Sequence, residues 1–267
     1  MARLKSGIPF TGSIGGISAF TLPGSNEIFI KSKGGPNAKQ IKSKKSFEGL
    51  RRRNTEFGAA STAAKYSKQA MAELSHLDHS YFQSRLTSLF YSLLRMNPVG
   101  EIGQRSLLIS RYRHFLEGFN LEMGILFDSL VKSPLDYRID RENLSALIRI
   151  PELVPRLNLY IPGNYPMFRI VACLGALSDL QYDTSGRTYL PVHSRAGLKH
   201  ACSKTDWLSG DAPSAARELS LQITGPISID DTCSLQLAIG IEFGVSATNT
   251  LVKVNRNAGA AKILAMG

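Results

Sequence analysis

The sequence predicts an α+β fold with an N-terminal β-hairpin arm, a central helical bundle and a C-terminal antiparallel β-sandwich of immunoglobulin-like type. Two observations predict this fold. The spacing of apolar residues changes from alternation to three- and four-residue spacing and then back to alternation. The charge is also uneven, because residues 1–68 hold thirteen Lys and Arg against three Glu, while the whole 267-residue chain carries only +11. We therefore place an arm at 1–60, the helices at 61–133 and the sandwich at 134–267.

The first element, in residues 7–35, is predicted to be a glycine-punctuated β-hairpin. Residues 17–22 alternate, residues 23–26 (PGSN) supply a turn, and residues 27–31 return. Both faces carry apolar side chains, and an isolated hairpin is marginal in water, so another surface must cover it. That surface is either the protein's own body or a second copy that accepts the hairpin by strand addition. In the second case the anchors are Ile17, Phe20, Ile28, Phe29 and Ile30.

A basic segment follows the hairpin. Residues 38–46 predict a lysine-rich linker, and the apolar spacing around residues 51–53 predicts a short helix with its arginines on the solvated side. A run of charge is most often solvated surface. The functional alternatives are contact with nucleic acid phosphates, without sequence preference, and contact with an acidic protein surface. The phosphate-binding residues in that alternative are Lys31, Lys33, Lys39, Lys42, Lys44, Lys45, Arg51, Arg52 and Arg53.

The helical part extends over residues 61–130. Its apolar spacing predicts a first helix that ends at the turn 97–100, a second near 102–119 and a short third over 123–131. Short connections between these segments predict antiparallel neighbours in a small bundle.

After Pro134 the apolar period returns to two. Strands are predicted at 135–140, 143–150, 168–174, 180–183, 187–192, 218–224, 234–243, 251–254 and 261–266. Residues 193–213 predict a polar, irregular loop that holds Trp207. Many short strands separated by turns are typical of an immunoglobulin-like sandwich.

Three stretches carry a resemblance to a known group of proteins: residues 1–8 (MARLKSGI), 15–20 (GGISAF) and 30–36 (IKSKGGP). They resemble uncharacterised bacterial proteins, chiefly from Bacteroidota, which begin with a glycine-rich hairpin, a basic linker and helices. Those proteins end in a β-sandwich whose last strands resemble residues 237–244 and 261–267. The resemblance implies this layout and no activity. Similar basic, glycine-rich openings also occur in phage-derived proteins, which favours a component of a particle or filament.

Catalytic chemistry has one candidate location in the sequence. His193, His200 and Cys202 share the loop 193–213 with Asp206, and they form a metal or nucleophile site only if they converge. The glycine runs at 12–16 and 34–35 lack the spacing and the Lys-Ser ending of a phosphate loop. We therefore expect no catalytic residues, no metal site, no cofactor and no enzymatic activity.

The remaining features concern location and partners. No stretch of about 18 apolar residues occurs, the start lacks the apolar run of a secretory signal, and three widely spaced cysteines are typical of reduced thiols. We expect a cytoplasmic protein without a membrane partner, whose routes out of the cell are release as particles by lysis or a signal-independent route. The function expected is a structural subunit that binds other copies of itself through the arm and forms a filament, tube or particle. The alternative is a sequence-neutral nucleic-acid-binding protein.

Overall fold

The computed structural model describes residues 2–3, 10–23, 25–32, 34–78, 81–194, 196–225, 229–246 and 252–267. Several sequence predictions concern residues outside these ranges, namely Lys33, Gly24 of the predicted turn, residues 1 and 4–8 of the opening motif, and residue 251. The chain divides into two compact units, Met1–Arg51 and Arg52–Gly267.

The first unit contains a four-stranded antiparallel sheet. Its strands are β1 (Ala2–Arg3), β2 (Gly12–Ile14), β3 (Ile17–Thr21) and β4 (Ile28–Ser32). Their order in the sheet is β1-β4-β3-β2. The predicted hairpin is therefore confirmed as β3 and β4. The tight turn from β2 to β3 uses Gly15 at a φ of 57°, a left-handed conformation that glycine adopts without a steric penalty.

The segment predicted as a linker at 38–46 contains a short helix, α1 (Ala38–Ser43). A reciprocal pair of bonds caps it: Asn37 Oδ1 accepts from the Gln40 N–H at 2.8 Å, and Gln40 Oε1 accepts from the Asn37 N–H at 3.1 Å. A 3₁₀ turn at Lys45–Phe47 leads to α2 (Glu48–Ala70), which begins in the first unit and continues into the second. The short helix predicted around residues 51–53 is the first part of α2.

The second unit has three more α-helices among its described residues. They are α3 (Phe82–Met96), α4 (Ile109–Tyr112) and α5 (Phe127–Leu130), accompanied by 3₁₀ turns at Ala72–Leu77, Arg113–Leu116, Pro162–Asn164 and Ala196–Leu198. The helix predicted at 102–119 is wrong in length. Leu107 exchanges backbone hydrogen bonds with Leu180 at 2.9 and 3.0 Å, so only α4 and one 3₁₀ turn form there.

The described residues of the second unit form ten strands. They are β5 (Asp136–Asp140), β6 (Ser145–Ile150), β7 (Met167–Ser178), β8 (Leu180–Asp183), β9 (Thr188–Pro191), β10 (His200–Lys204), β11 (Leu208–Ser209), β12 (Arg217–Gln222), β13 (Cys233–Ser246) and β14 (Val252–Met266). The main sheet has the order β10-β7-β13-β14 with β11 beside β7, a second sheet has the order β12-β6-β5, and β8 pairs with β9. The loop predicted at 193–213 therefore contains two strands, and the two predicted C-terminal strands are one.

The main sheet is covered on both faces. Val171 and Cys173 of β7 lie in a core shared with α2 and α3, whereas Ile170 and Ala172, which point the other way, lie in a core shared with β6 and β12. The α+β class is confirmed, and the immunoglobulin-like form of the sandwich stays a prediction. Helices and strands share a core within the second unit, and the predicted limits at residues 60 and 133 stay predictions.

Two glycines allow the helical layer to approach the main sheet closely. A Cβ atom at Gly175 would lie 2.3 Å from Cβ of Ala70, and one at Gly240 would lie 2.6 Å from Cδ2 of Leu74. Such distances exclude any side chain at these positions. A buried hydrogen bond also joins the helices to the sheet, since Gln236 Oε1 of β13 accepts from the Ser67 hydroxyl of α2 at 2.6 Å.

No helix in the described ranges is both long and apolar enough to cross a membrane.

Candidate assembly surface

The register of the N-terminal sheet divides its side chains between two faces. Residues that lie directly opposite each other in an antiparallel ladder point to the same side. Ile17 lies opposite Ile14 on one neighbour, and Ala19 lies opposite Ile30 on the other. We call this side the isoleucine face; its apolar members are Ile14, Ile17, Ala19, Ile28 and Ile30. The opposite side is the phenylalanine face, which carries Phe20, Phe29 and Lys31.

The isoleucine face has little cover. Ile14 is 65% exposed and Ile17 is 48% exposed, while Ile28 and Ile30 are half-buried. Among the residues of the first unit that the structure describes, Ala19 is the one buried apolar side chain. A sheet normally packs at least one face against a hydrophobic layer, because its apolar side chains otherwise stay in water. This face is therefore a candidate for contact with another surface.

The phenylalanine face is covered in part by its own side chains. The rings of Phe20 and Phe29 are 6.2 Å apart between centroids. The ammonium group of Lys31 lies 5.1 Å from the centroid of Phe20, within the range of a cation–π contact. Both rings are half-buried. The two predicted phenylalanine anchors thus point away from the predicted isoleucine anchors.

The ladder limits how a further strand can join this sheet. β3 is paired with β2 and β4, and β4 is paired with β1 and β3, so β1 and β2 are the two outer strands. The outer edge of β2 has no partner strand in the described part of the chain. A further strand could be added only beside an outer strand, β1 or β2, and the β2 edge lies next to the exposed Ile14. Ile14 is not among the predicted anchors, because it precedes the predicted alternation at residues 17–22.

The basic segment differs in detail from the sequence prediction. The guanidinium group of Arg51 donates from Nη1 to the backbone oxygens of Ile41 at 2.6 Å and Lys44 at 2.9 Å, and so holds the end of α1. Nη1 of Arg52 donates to Glu101 Oε2 at 3.1 Å. Arg53 is exposed. Two of the three consecutive arginines thus have partners within the protein.

Four lysines of this segment are presented to solvent. They are Lys39, Lys42, Lys44 and Lys45, and all are exposed. They fall on α1 and the turn directly after it, within seven positions of the chain. This arrangement provides a compact positive surface that suits a polyanion.

The three residues considered for catalysis do not meet at one point. His193 Nε2 lies 2.9 Å from Asp230 Oδ1 and 3.1 Å from Thr232 Oγ1, and its backbone N–H donates to Ser178 Oγ. Cys202 lies opposite Cys173 in the sheet. Cys173 and Ser178 are five positions apart on β7, which is about 17 Å along an extended strand. Cys202 and His193, which contact these two residues, are therefore far apart.

The histidine end of this loop is a hydrogen-bonded structural contact. Bonds from the Thr232 hydroxyl and backbone N–H, together with the contact to His193, lower the pKa of Asp230 to about 2. His200 is exposed on β10 opposite Gly175. In the described ranges, no group of three or more His, Cys, Asp or Glu side chains is placed to hold a metal ion.

Two buried carboxylates in the second unit are neutralised by neighbouring arginines. Glu56 receives hydrogen bonds from Arg105 and Gly103, and Glu242 is paired with both His76 and Arg169. Burial opposes the ionisation of both groups, but the hydrogen bonds outweigh it and lower both pKa values. These pairs hold the helices and the strands in place.

No protein-family model, curated protein or solved structure matches this chain. The resemblance to uncharacterised bacterial proteins stays a prediction, and the function is argued from the geometry.

Proposed function

We propose that this protein is a non-enzymatic structural subunit that assembles with other copies of itself through its N-terminal sheet. The observation that carries the proposal is the isoleucine face, on which Ile14 and Ile17 are exposed and Ile28 and Ile30 are only half-buried. Monomeric proteins rarely leave an apolar sheet face in water, since each Ile or Val contributes about 1.5–3 kcal/mol when it becomes fully buried. A second copy is the partner that this chain always has available.

The edge strand β5 is the acceptor that we propose on the neighbouring copy. Tyr137 lies opposite Ile148, which is fully buried, so Tyr137 points to the core side of its sheet. It is nevertheless 43% exposed, because among the described residues β5 is paired on one side only. A strand added beside β5 would complete this sheet and cover the ring.

The proposed contact joins two different surfaces, the β2 edge with its isoleucine face on one copy and β5 on the next. Such a head-to-tail contact propagates, and it produces rings if the rotation closes and helical tubes or filaments if it does not. Main-chain pairing supplies affinity, and the alternating side chains set the register.

The experiment compares full-length variants by size-exclusion chromatography with light scattering and by negative-stain imaging. The donor variant carries Ile14→Asp and Ile17→Asp. Because the two side chains are about half exposed, we estimate a loss of roughly 2–3 kcal/mol per contact, or about a 30- to 150-fold weaker association. The wild type is expected to form large particles that survive nuclease, and the donor variant is expected to be a monomer. Val99→Asp, which changes a 71% exposed residue of the second unit, is the matched control and should assemble normally.

Mixing variants tests the direction of the contact. The acceptor variant Tyr137→Asp keeps an intact arm, and the donor variant keeps an intact β5. Each alone should be a monomer, and an equimolar mixture should form a dimer that does not grow. A wild type that is monomeric at all concentrations, or a donor variant that assembles normally, contradicts the proposal. A mixture that stays monomeric contradicts β5 as the acceptor.

A second candidate function, sequence-neutral binding of nucleic acid, is favoured by the four exposed lysines of the basic segment. With these lysines and Arg53 in contact with phosphates, the logarithm of the affinity for duplex DNA should fall against the logarithm of the salt concentration with a slope of about −4.5. Replacing Lys39, Lys42, Lys44 and Lys45 with Gln should reduce the slope to about −1. A wild-type slope near zero would exclude this function, and particles that vanish with nuclease would favour it over protein-only assembly.

A further inference from the structure

Two of the three cysteines meet across the main sheet. Cys202 on β10 is directly opposite Cys173 on β7, and both are free thiols. Cys202 is exposed, because β10 is the edge strand, and Cys173 is buried behind it. The sequence pattern groups Cys202 with the loop histidines, and the 29 positions between the two cysteines give no sign of their pairing.

The hydrogen-bond pattern of the ladder places this pair at disulfide distance. The Thr205 N–H donates to the Ile170 oxygen at 3.0 Å, so these two residues form a hydrogen-bonded pair. Hydrogen-bonded and non-hydrogen-bonded pairs alternate along an antiparallel ladder. Cys202 and Cys173 lie three positions further on and therefore form a non-hydrogen-bonded pair, whose Cα atoms are about 4.5 Å apart. A disulfide requires Cα atoms about 4.4–6.8 Å apart, and this spacing falls within that range.

The surroundings make the two thiols unequal. The interaction between the two thiols lowers the pKa of Cys202 and, together with burial, raises that of Cys173. Lys204, two positions along β10 on the same face, adds positive charge, and its ammonium group is itself held by Glu73. An exposed, more acidic thiol beside a buried second thiol is the arrangement of a reactive cysteine and its resolving partner.

We propose that Cys202 and Cys173 form a thiol–disulfide exchange site, in which Cys202 reacts with a low-molecular-weight disulfide and Cys173 resolves the product. The Cys202 thiolate attacks one sulfur of the substrate and displaces the other as a thiolate. Cys173 then loses its proton to solvent and attacks the Cys202 sulfur, which releases the second substrate thiol. The two protein thiols lose two electrons and become one cross-strand disulfide, and the substrate disulfide is reduced to two thiols.

The attack by Cys202 on the substrate makes the later attack by Cys173 on the mixed disulfide easier. The hydrogen-bonding interaction with Cys202, burial and the negative charge of Cys202 all raise the pKa of Cys173. Once Cys202 is part of a mixed disulfide, that charge is gone, and Cys173 ionises more readily. The product ties the edge strand β10 to the centre of the sheet. This inference does not rest on the proposed assembly, since both cysteines belong to the second unit.

The test uses full-length protein treated with oxidised glutathione and analysed by intact mass and peptide mapping. The wild type should lose two hydrogens, carry no glutathione and yield a linked Cys173–Cys202 peptide. Cys173→Ala should stop at one glutathione on Cys202, and Cys202→Ser should not react. Cys233 is the internal control, because burial raises its pKa to about 11, and it should be alkylated at least tenfold more slowly than Cys202.

Three results would overturn the proposal. They are a stable glutathione adduct on Cys202 of the wild type, a disulfide that includes Cys233, and equal alkylation of Cys202 and Cys233. If Cys173→Ala does not fold, the comparison between the wild type and Cys202→Ser decides. Loss of two thiols in the first and none in the second supports the site, and loss in both refutes it.

Discussion

Replacing Arg105 with Met should destabilise the second unit strongly, because it leaves the buried carboxylate of Glu56 without its counter-charge. Glu56 is fully buried on α2. Arg105 donates to both of its oxygens, from Nε at 2.8 Å and from Nη2 at 2.7 Å, and the Gly103 N–H donates to Oε1 at 2.8 Å. In the variant, one backbone hydrogen bond remains for a full negative charge.

The magnitude follows from this burial. Removing one partner of a buried ion pair costs about 3–5 kcal/mol, because the remaining charge is neither solvated nor paired. For a unit of this size that corresponds to a decrease in Tm of roughly 6–20 °C. The exposed pair Arg52–Glu101 is the matched control, since its side chains are 42% and 71% exposed. Arg52→Ala should cost about 0–1 kcal/mol.

The loss of stability in Arg105→Met should also depend on pH, in a direction that the pKa of Glu56 sets. In the wild type the pKa of Glu56 is lowered on folding, because hydrogen bonds from Arg105 outweigh burial, so this group stabilises the protein above its unfolded pKa of 4.5 and less as the pH falls. In Arg105→Met burial dominates and raises the pKa of Glu56. The destabilisation should therefore be largest near pH 7 and smaller near pH 4, where Glu56 is protonated at less cost.

Urea unfolding followed by circular dichroism at pH 7 and pH 4 measures both effects. A double variant, Glu56→Leu with Arg105→Met, removes both charges and should recover most of the lost stability. The reasoning is refuted if Arg105→Met is within about 1 kcal/mol of the wild type, or if its loss of stability is the same at both pH values.

Three further predictions follow from single contacts. Gly175→Val should prevent stable folding, since even a Cβ atom would lie 2.3 Å from Cβ of Ala70; a wild-type Tm for this variant would contradict the close helix–sheet contact. Arg51→Ala should speed amide hydrogen exchange in α1, whose last carbonyl groups lose their donor, and should leave the Tm of the second unit unchanged. Carboxyl NMR should give Asp230 a pKa of about 2, with its stabilising effect lost as the pH falls from 3.8 towards that value. Thr232→Val should move that pKa upwards, and an unchanged pKa would contradict the assigned hydrogen bonds.

Local pattern predicted several elements well. Alternation identified the hairpin of β3 and β4 and the long strand β13, because period-two patterning is a property of consecutive residues. The helix predicted at 102–119 was wrong, because its apolar spacing suited a helix but Leu107 pairs with Leu180 instead. Backbone pairing with a distant strand outweighed local propensity at that point.

The candidate site was predicted in outline from the same local information. Ile17, Ile28 and Ile30 were identified as apolar residues of an uncovered hairpin, and the structure places them on one face. The position of Ile14 on that face depends on the pairing of β2 with β3, which the hairpin pattern alone did not include.

The sequence by itself determined the charge of the first unit, the presence of its hairpin and the α+β class, since each depends on composition or on neighbours in the chain. Tertiary structure decided which of these side chains are used in contacts within the protein and which face solvent. Arg51 binds backbone oxygens of Ile41 and Lys44, so its charge is used within the protein. Cys173 and Cys202 become neighbours only when β10 pairs with β7. Both contacts join chain segments that come together only on folding, and the local sequence pattern does not indicate which segments will be in contact.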